Sequence, residues 1–367
     1  MPQVINLKIE TLSPVHLGTG EEYGLLNCKL DRAYKALLVF EALDFISSLD
    51  DSSRSRFEQI CSYSEPDAIR QLAEFIDKQP FNQGRRVLLA PTAEQRFGRL
   101  LKADPAAFKK ELKTIGFLRT AFLKHDGRPY IPGSAVKGAL RTAMLNRING
   151  GASTPPADKG KELERRLLQI REAQFETDPF RLVKVSDFLP VGEVEAQVVL
   201  AKNIPKKPKE GRPGQGPPQF LEVIRPGAVF IGALSVEKPI DDRQTIKRPI
   251  TVDELLEASL EFYSAEKKRE DEIVAELSRR CVAFKASGAR YLCRLGRHSG
   301  AECVTVRGQR KIAIKGKSSA SGSCKEASRK LDHATTLWLA VEGEEDKGDL
   351  WPFGWVAVEL SLIHISE

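Results

Sequence analysis

The stretch "YIPGSAVKGALRTAML", Tyr130 to Leu145, puts a lysine and an arginine in the opening turns of a helix-patterned segment. Pro132 and Gly133 break any preceding strand, and Ser134 fits an N-cap. Val136, Leu140, Ala143 and Met144 recur at helical spacing and form an apolar stripe. Lys137 and Arg141, four residues apart, share another face. Like charges so placed cost about a few tenths of a kcal/mol, and the helix dipole adds a similar penalty near its N-terminus. An anion in front of the helix would reverse both terms. Gly133 would let a phosphate approach the free backbone N–H groups, and Gly138 leaves room for a ligand or another backbone. The plain alternative is a capped helix whose basic residues point to water. A catalytic alternative is the S-x-x-K pattern Ser134–Lys137. That class also needs S-D-N and K-T-G; the nearest match is Ser186-Asp187-Phe188, and K-T-G does not occur. A P-loop pattern is absent too.

Upstream, residues 3–12 carry strand character and end at "SPVHLGTG". "LLVF" at 37–40 is β-like. Ser64 precedes a helix-patterned run containing Ile69, Leu72 and Ile76, and Asp104-Pro105 opens another. Residues 41–116 therefore read as a helical insertion. Strand character returns at 117–123 and at 180–200. "FLEVIRPGAVFIGALSVE" predicts a hairpin turning at Pro226-Gly227. Thr251 and Glu254 make a capping box for a long helix reaching about Cys281, closed by Arg279 and Arg280. "LWLAVE" and "WVAVEL" are the last strands. The alternation predicts an α+β fold: an RRM-like or ferredoxin-like sheet with helical insertions and long basic loops. The expected division is a core of 1–40 plus 117–240, the insertion 41–116, and a C-terminal part 241–367 with the long helix and closing strands.

The chain has 367 residues, 41% hydrophobic and 29% charged, with net charge +7. The excess is uneven. Residues 202–212 hold five basic residues and one acid, and 307–330 hold eight and one. Such clusters suit a polyanion such as nucleic acid, or are simply solvated loops. The N-terminus resembles neither a signal peptide nor an anchor, and no apolar run approaches the ~18 residues of a membrane span. Six cysteines without a C-x-x-C pair read as reduced thiols in a cytoplasmic protein, with no cofactor expected. Cys293, His298 and Cys303 lack the paired spacing and fourth ligand of a zinc site.

"GRPYIPGSAVKGALRTAML" resembles the signature segment of the RAMP proteins of type III CRISPR effector complexes. "DPFRLVKVSDF", Asp178 to Phe188, more narrowly resembles the fifth subunit of the type III-A Csm complex. "SPVHLGTG", "RLGRHSG" and "PFGWVAVEL" resemble the family's first loop, late glycine-rich loop and closing strand. The resemblance implies an RRM-like core and a non-catalytic subunit at the 3′ end of the CRISPR RNA. It would cap the backbone filament, contact neighbouring backbone and small subunits and the target RNA, and aid 3′-end maturation by recruiting host nucleases. The RNA-facing set it implies is Gly133, Ser134, Lys137, Gly138 and Arg141, with His16 and Gly18 from the first loop. Arg294, Arg297 and His298 join from the late loop. That loop keeps only Gly296 and Gly300, so side chains would replace some backbone contacts. Arg181 and Lys184 either touch RNA or a neighbour, or sit on a strand with an internal ion pair such as Asp178 with Arg181.

Two enzymatic readings remain. Some RAMP relatives cut CRISPR RNA with histidine, and His16 and His298 are the candidates for an acid–base pair. A metal-dependent nuclease would need a loop aspartate, for which Asp126 in "HDGRPY" is a weak fit.

Overall fold

The computed structural model describes residues 3–63, 67–112, 116–153, 160–172, 174–207, 219–238, 245–277, 281–284, 291–314, 329–343 and 348–361. Ser64, Arg279, Arg280, Cys324 and much of both basic clusters lie outside these residues. The chain opens with β1 (Gln3–Thr11), β2 (Gly18–Tyr23), β3 (Cys28–Asp31) and β4 (Ala36–Val39). Next come α1 (Ala42–Ser47), α2 (Asp51–Cys61), α3 (Asp67–Lys78), β5 (Arg85–Leu89), α4 (Pro91–Leu101) and α5 (Pro105–Leu112). β6 (Phe117–Thr120) precedes the motif helix α6 (Gly133–Asn149) and α7 (Gly160–Leu168). Strands β7 (Val183–Val185), β8 (Leu189–Pro190), β9 (Ala196–Pro205), β10 (Gln219–Ile224) and β11 (Val229–Val236) follow. The long helix α8 (Val252–Leu277) leads to β12 (Tyr291–Arg294), β13 (Ile312–Ile314) and β14 (Arg329–Leu331). β15 (Thr336–Glu342), β16 (Asp349–Pro352) and β17 (Trp355–Leu360) close the chain.

Two sheets organise these elements. The first has the order β12–β17–β1–β11–β7, all antiparallel, with β8 also on β11. Its alternation follows the sequence: Leu7 and Ile9 are buried, while Lys8 reaches out to Glu359 at 3.3 Å. Helices α6 and α8 cover the inner face through Val136, Leu140, Leu255, Phe262 and Tyr263. Tyr263 donates its hydroxyl to the Ala139 carbonyl at 3.2 Å, joining the two helices. Burying each large side chain here contributes about 1.5–3 kcal/mol.

The second sheet runs β2–β6–β10–β9–β5–β4–β3. β15 pairs with the outer half of β9 and carries β16. Phe97 of α4 packs on its face against Phe117, which meets Phe220, both at 5.5 Å between ring centres. Phe40, Phe45 and Phe81 form a satellite core under α1–α3.

Two expectations change. Residues 41–116 are not purely helical: β5 sits between helices and joins β4 to β9. Residues 219–236 are not a hairpin: β10 lies in the second sheet and β11 in the first. Thr11 captures the turn between them. Its hydroxyl donates to the Arg225 carbonyl at 2.7 Å, and its carbonyl accepts from the Gly227 N–H at 2.7 Å. Gly227 has φ +88°, which favours glycine, so the chain can cross between sheets there.

The capping box holds: the Thr251 N–H donates to Glu254 at 2.8 Å, and the Glu254 N–H to the Thr251 hydroxyl at 3.2 Å. Asp104 caps α5 through the Ala106 and Ala107 N–H groups. Among the described residues no helix is long and apolar enough to cross a membrane.

Candidate nucleic-acid interface

Helix α6 begins one residue before the expected cap. Its N-cap is Pro132, and Ser134 is exposed and caps nothing. The cap comes from Asp187, whose carboxylate accepts the Gly133 N–H at 2.8 Å. Gly133 is needed for packing. A Cβ there would lie 2.4 Å from the carbonyl oxygens of Val185 and Ser186, so the helix start presses on β7. The Gly133 N–H is therefore taken by Asp187 of the chain itself. Ser134 and Gly138 do face outward, and nothing lies near a Cβ built on Gly138.

The anions in front of Arg141 are the protein's own. Its guanidinium contacts Glu164 at 2.8 Å and Asp178 at 3.1 Å, and stacks over Phe180. Asp178 thus pairs with Arg141, not with Arg181, and also caps the short 3₁₀ turn Pro179–Arg181 through the Phe180 N–H. Arg181 is exposed beside the Phe175 ring, and Lys184 is exposed with a loose 3.6 Å approach to Glu237. Lys137 is half-buried and donates to the Val183 carbonyl at 2.8 Å. Burial, then the positive charge of Lys184, lowers its pKa. Lys137, Lys184 and Ser134 line one open cleft of about 500 Å³.

The first and late loops pack on each other. The His16 carbonyl accepts the Arg297 N–H at 2.9 Å. A Cβ on Gly296, which has φ +79°, would sit 2.2 Å from that same oxygen, so glycine is required there. His16 is fully buried. Its Nδ1 lies 2.8 Å from the Glu222 carbonyl, which can only accept, so Nδ1 carries the proton. Its Nε2 has no partner among the described residues. His298 adopts φ +64° and stacks on Trp338 at 4.2 Å. Burial, then Arg297 and His16, pushes its pKa down to about 3, and burial also lowers that of His16.

Arg294 corrects the expected RNA-facing set. Its side chain is wholly buried, 2.7 Å from Glu270, donating to the Phe353 carbonyl and lying over Trp355. Arg297, three residues on, is exposed, and no hydrogen bond or ion pair holds its side chain among the described residues. Gly18 is exposed at the start of β2. Leu17, Gly18, Thr19, Ala121, Tyr130, Ser134 and Gly296 line a second open cleft of about 510 Å³. Sequence reading missed Tyr130, Thr19 and the capping role of Asp187. All three lie in or beside the quoted motifs, but only the packing gives them roles.

Cys293 and Cys303 are buried, and burial pushes both thiols up to about 11. Among the described residues no group of three or more His, Cys, Asp or Glu could hold a metal ion. Asp126 sits in an exposed turn and binds Arg128.

The RAMP superfamily model matches residues 8–295. The "CRISPR system Cms protein Csm5" of Methanocaldococcus jannaschii is 24% identical over 196 residues, covering 50% of this chain and 43% of that protein. The match thus spans less than half of that relative's length. A chain in the cryo-EM structure of a Csm-crRNA-target RNA ternary complex in a type III-A CRISPR-Cas system has a TM-score of 0.60 at 19% identity. It covers 97% of this chain and 100% of that one. The crystal structure of T. onnurineus Csm5 gives 0.54 at 18%, covering 95% and 99%. A family model that runs from the first strand to the late loop, over the same packed motifs, makes this chain a member of the RAMP superfamily.

Proposed function

We propose that the protein is a Csm5-like, non-catalytic RNA-binding subunit of a type III-A CRISPR complex, seated at the 3′ region of the CRISPR RNA. One observation carries the reading: the first loop, the start of α6 and the late loop, more than a hundred residues apart, line a single cleft. The order β17–β1–β11–β7, with α6 and α8 as crossovers, supports a ferredoxin-like core in which these loops share an edge. Residues 1–40 with 117–240 would supply most of that core, and 241–367 its last helix and strands. The exposed candidates Ser134, Gly138, Gly18, Arg181, Lys184 and Arg297 would meet the RNA. Lys137 and Lys184 repel each other, and a phosphate between them would relieve that cost. Gly133, His16, Arg141 and Arg294 would shape the surface from beneath. Contacts of this kind position a strand without reading its sequence. Neighbouring Csm subunits, target RNA and recruited nucleases belong to the same proposal, as does a cytoplasmic location.

The test is purification from cells holding a CRISPR array, followed by sequencing of the bound RNA. Short RNAs with a common 5′ tag support the reading; untagged cellular RNA overturns it. The histidine nuclease is not favoured. His16 Nε2 is sealed from solvent, and an imidazole with a pKa near 3 is too weak a base at neutral pH.

A further inference from the structure

The cleft shared by the first loop, the start of α6 and the late loop differs in kind from its neighbour at Lys137 and Lys184. Among the described residues none that lines it carries a charged side chain, and Tyr130 is its one aromatic ring. Gly18, Ala121, Ala135 and Gly296 leave it open beside that ring. A Cβ on Gly18 would lie 3.1 Å from His16 Nε2, and one on Gly296 would strike the His16 carbonyl. Buried His16 thus opposes a larger side chain at either position.

Tyr130 is firmly placed. Its N–H donates to the Ala121 carbonyl at 3.2 Å, and Ile131 exchanges hydrogen bonds with Phe188 at 3.1 and 2.9 Å. The Tyr130 side chain is half-buried and packs against the core behind the first sheet. Among the described residues its hydroxyl makes no hydrogen bond, and its ring meets no other ring or cation. A tyrosine backed by a core and bordering a cleft offers contact area at little cost in side-chain entropy, because it turns about only two χ angles.

Ser134 lines both clefts, so the uncharged one with its ring adjoins the one with two ammonium groups. Lys137 keeps donors beyond its bond to the Val183 carbonyl, and Lys184 approaches exposed Glu237 only at 3.6 Å. A nucleotide has the same two parts, a neutral planar base and an anionic phosphate. Aromatic stacking beside backbone contacts is a common way to hold a single strand, and it tolerates any base because every base has a π-face.

We propose that, given the RNA-binding reading above, Tyr130 stacks on one unpaired base of the strand while the adjoining phosphate turns toward Lys137 and Lys184.

The test titrates the full chain with a mixed-sequence single-stranded oligoribonucleotide and with the same ribose-phosphate chain lacking bases. Tyr130→Leu keeps an apolar body against the core and removes the ring. It is expected to weaken the base-bearing strand by about fivefold to a hundredfold and to leave the baseless one unchanged. Tyr130→Phe is expected to stay within about twofold of the parent, since the ring remains. Loss confined to the base-bearing strand upholds the stack. Tyr130→Leu binding both strands as the parent does overturns the stack and leaves the RNA reading standing. Equal weakening of both strands also overturns it, because the ring would then act only through the shape of the cleft. Failure of the parent to bind either strand overturns the RNA reading and the stack together. A single 2-aminopurine in the otherwise baseless chain gives a second readout on the unaltered protein: its fluorescence should be quenched on binding, and undimmed fluorescence overturns the stack. Thermal unfolding of each variant confirms that the fold is intact.

Discussion

Arg294 and Arg297 sit three residues apart in one loop and do opposite things. Arg294 is sealed under Trp355 and paired with Glu270 on α8; Arg297 stands in solvent while its backbone N–H ties the loop to His16. The same split recurs across the interface, where Arg141 is held by Glu164 and Asp178 while Lys184 is open. Motif cations thus form an inner layer that builds the surface and an outer layer that can meet a ligand. A charge in a motif says nothing about which layer it joins until the carboxylates around it are known.

The sharpest way to break this division is Arg294→Ala. It leaves Glu270 buried without its cation and should cost about 3–5 kcal/mol in urea unfolding. A loss near zero would move Arg294 to the outer layer. Gly133→Ala comes next. The new methyl meets the β7 backbone, and overpacking of this kind costs about 1–3 kcal/mol. RNA affinity per folded molecule should fall only as far as the helix start shifts, as a binding assay on the folded fraction would report.

Acid should also weaken the fold through His298. His298 has a folded pKa near 3 against an ordinary 6.5, so the unfolded chain binds more protons between those values. Its contribution is complete above about pH 6.5 and is lost as pH falls toward 3. His298→Asn, which tolerates the positive φ, should flatten stability across that window, measured by urea unfolding at several pH values. An unchanged slope would mean that another group carries the acid sensitivity. The smallest stability effect is expected for the outer layer. Arg297→Ala and Lys184→Ala should each stay within about 0.5 kcal/mol of the parent. If each releases one counterion from single-stranded RNA, each lowers the salt slope by about 0.7. An unchanged slope would take that residue off the RNA path.

Local features were legible in the sequence and distant ones were not. The Thr251–Glu254 box spans three residues and needs no tertiary partner. The cap of α6 comes from Asp187, 54 residues away, so Ser134 looked like the cap because it stands in the right place. Pro226-Gly227 carries a genuine turn signal, but nothing local says that Thr11 will hold it open between two sheets. Glu266 and Glu270 look like solvent positions of a charged helix, yet both are buried against arginines from other segments. Five-residue β5 was hidden between helices because its partners lie on β4 and β9. The motif segments themselves were visible, and their packing into one cleft required the fold.

The grip of Thr11 on Arg225 spans 214 residues. At ribosomal speeds of about 5–20 residues per second, that interval lasts on the order of 10–40 seconds. Strand β1 therefore leaves the ribosome well before it can be seated, because its partners β11 and β17 are both made later. Through that delay Leu7 and Ile9 travel without a sheet, and the growing chain exposes apolar side chains that its finished form buries.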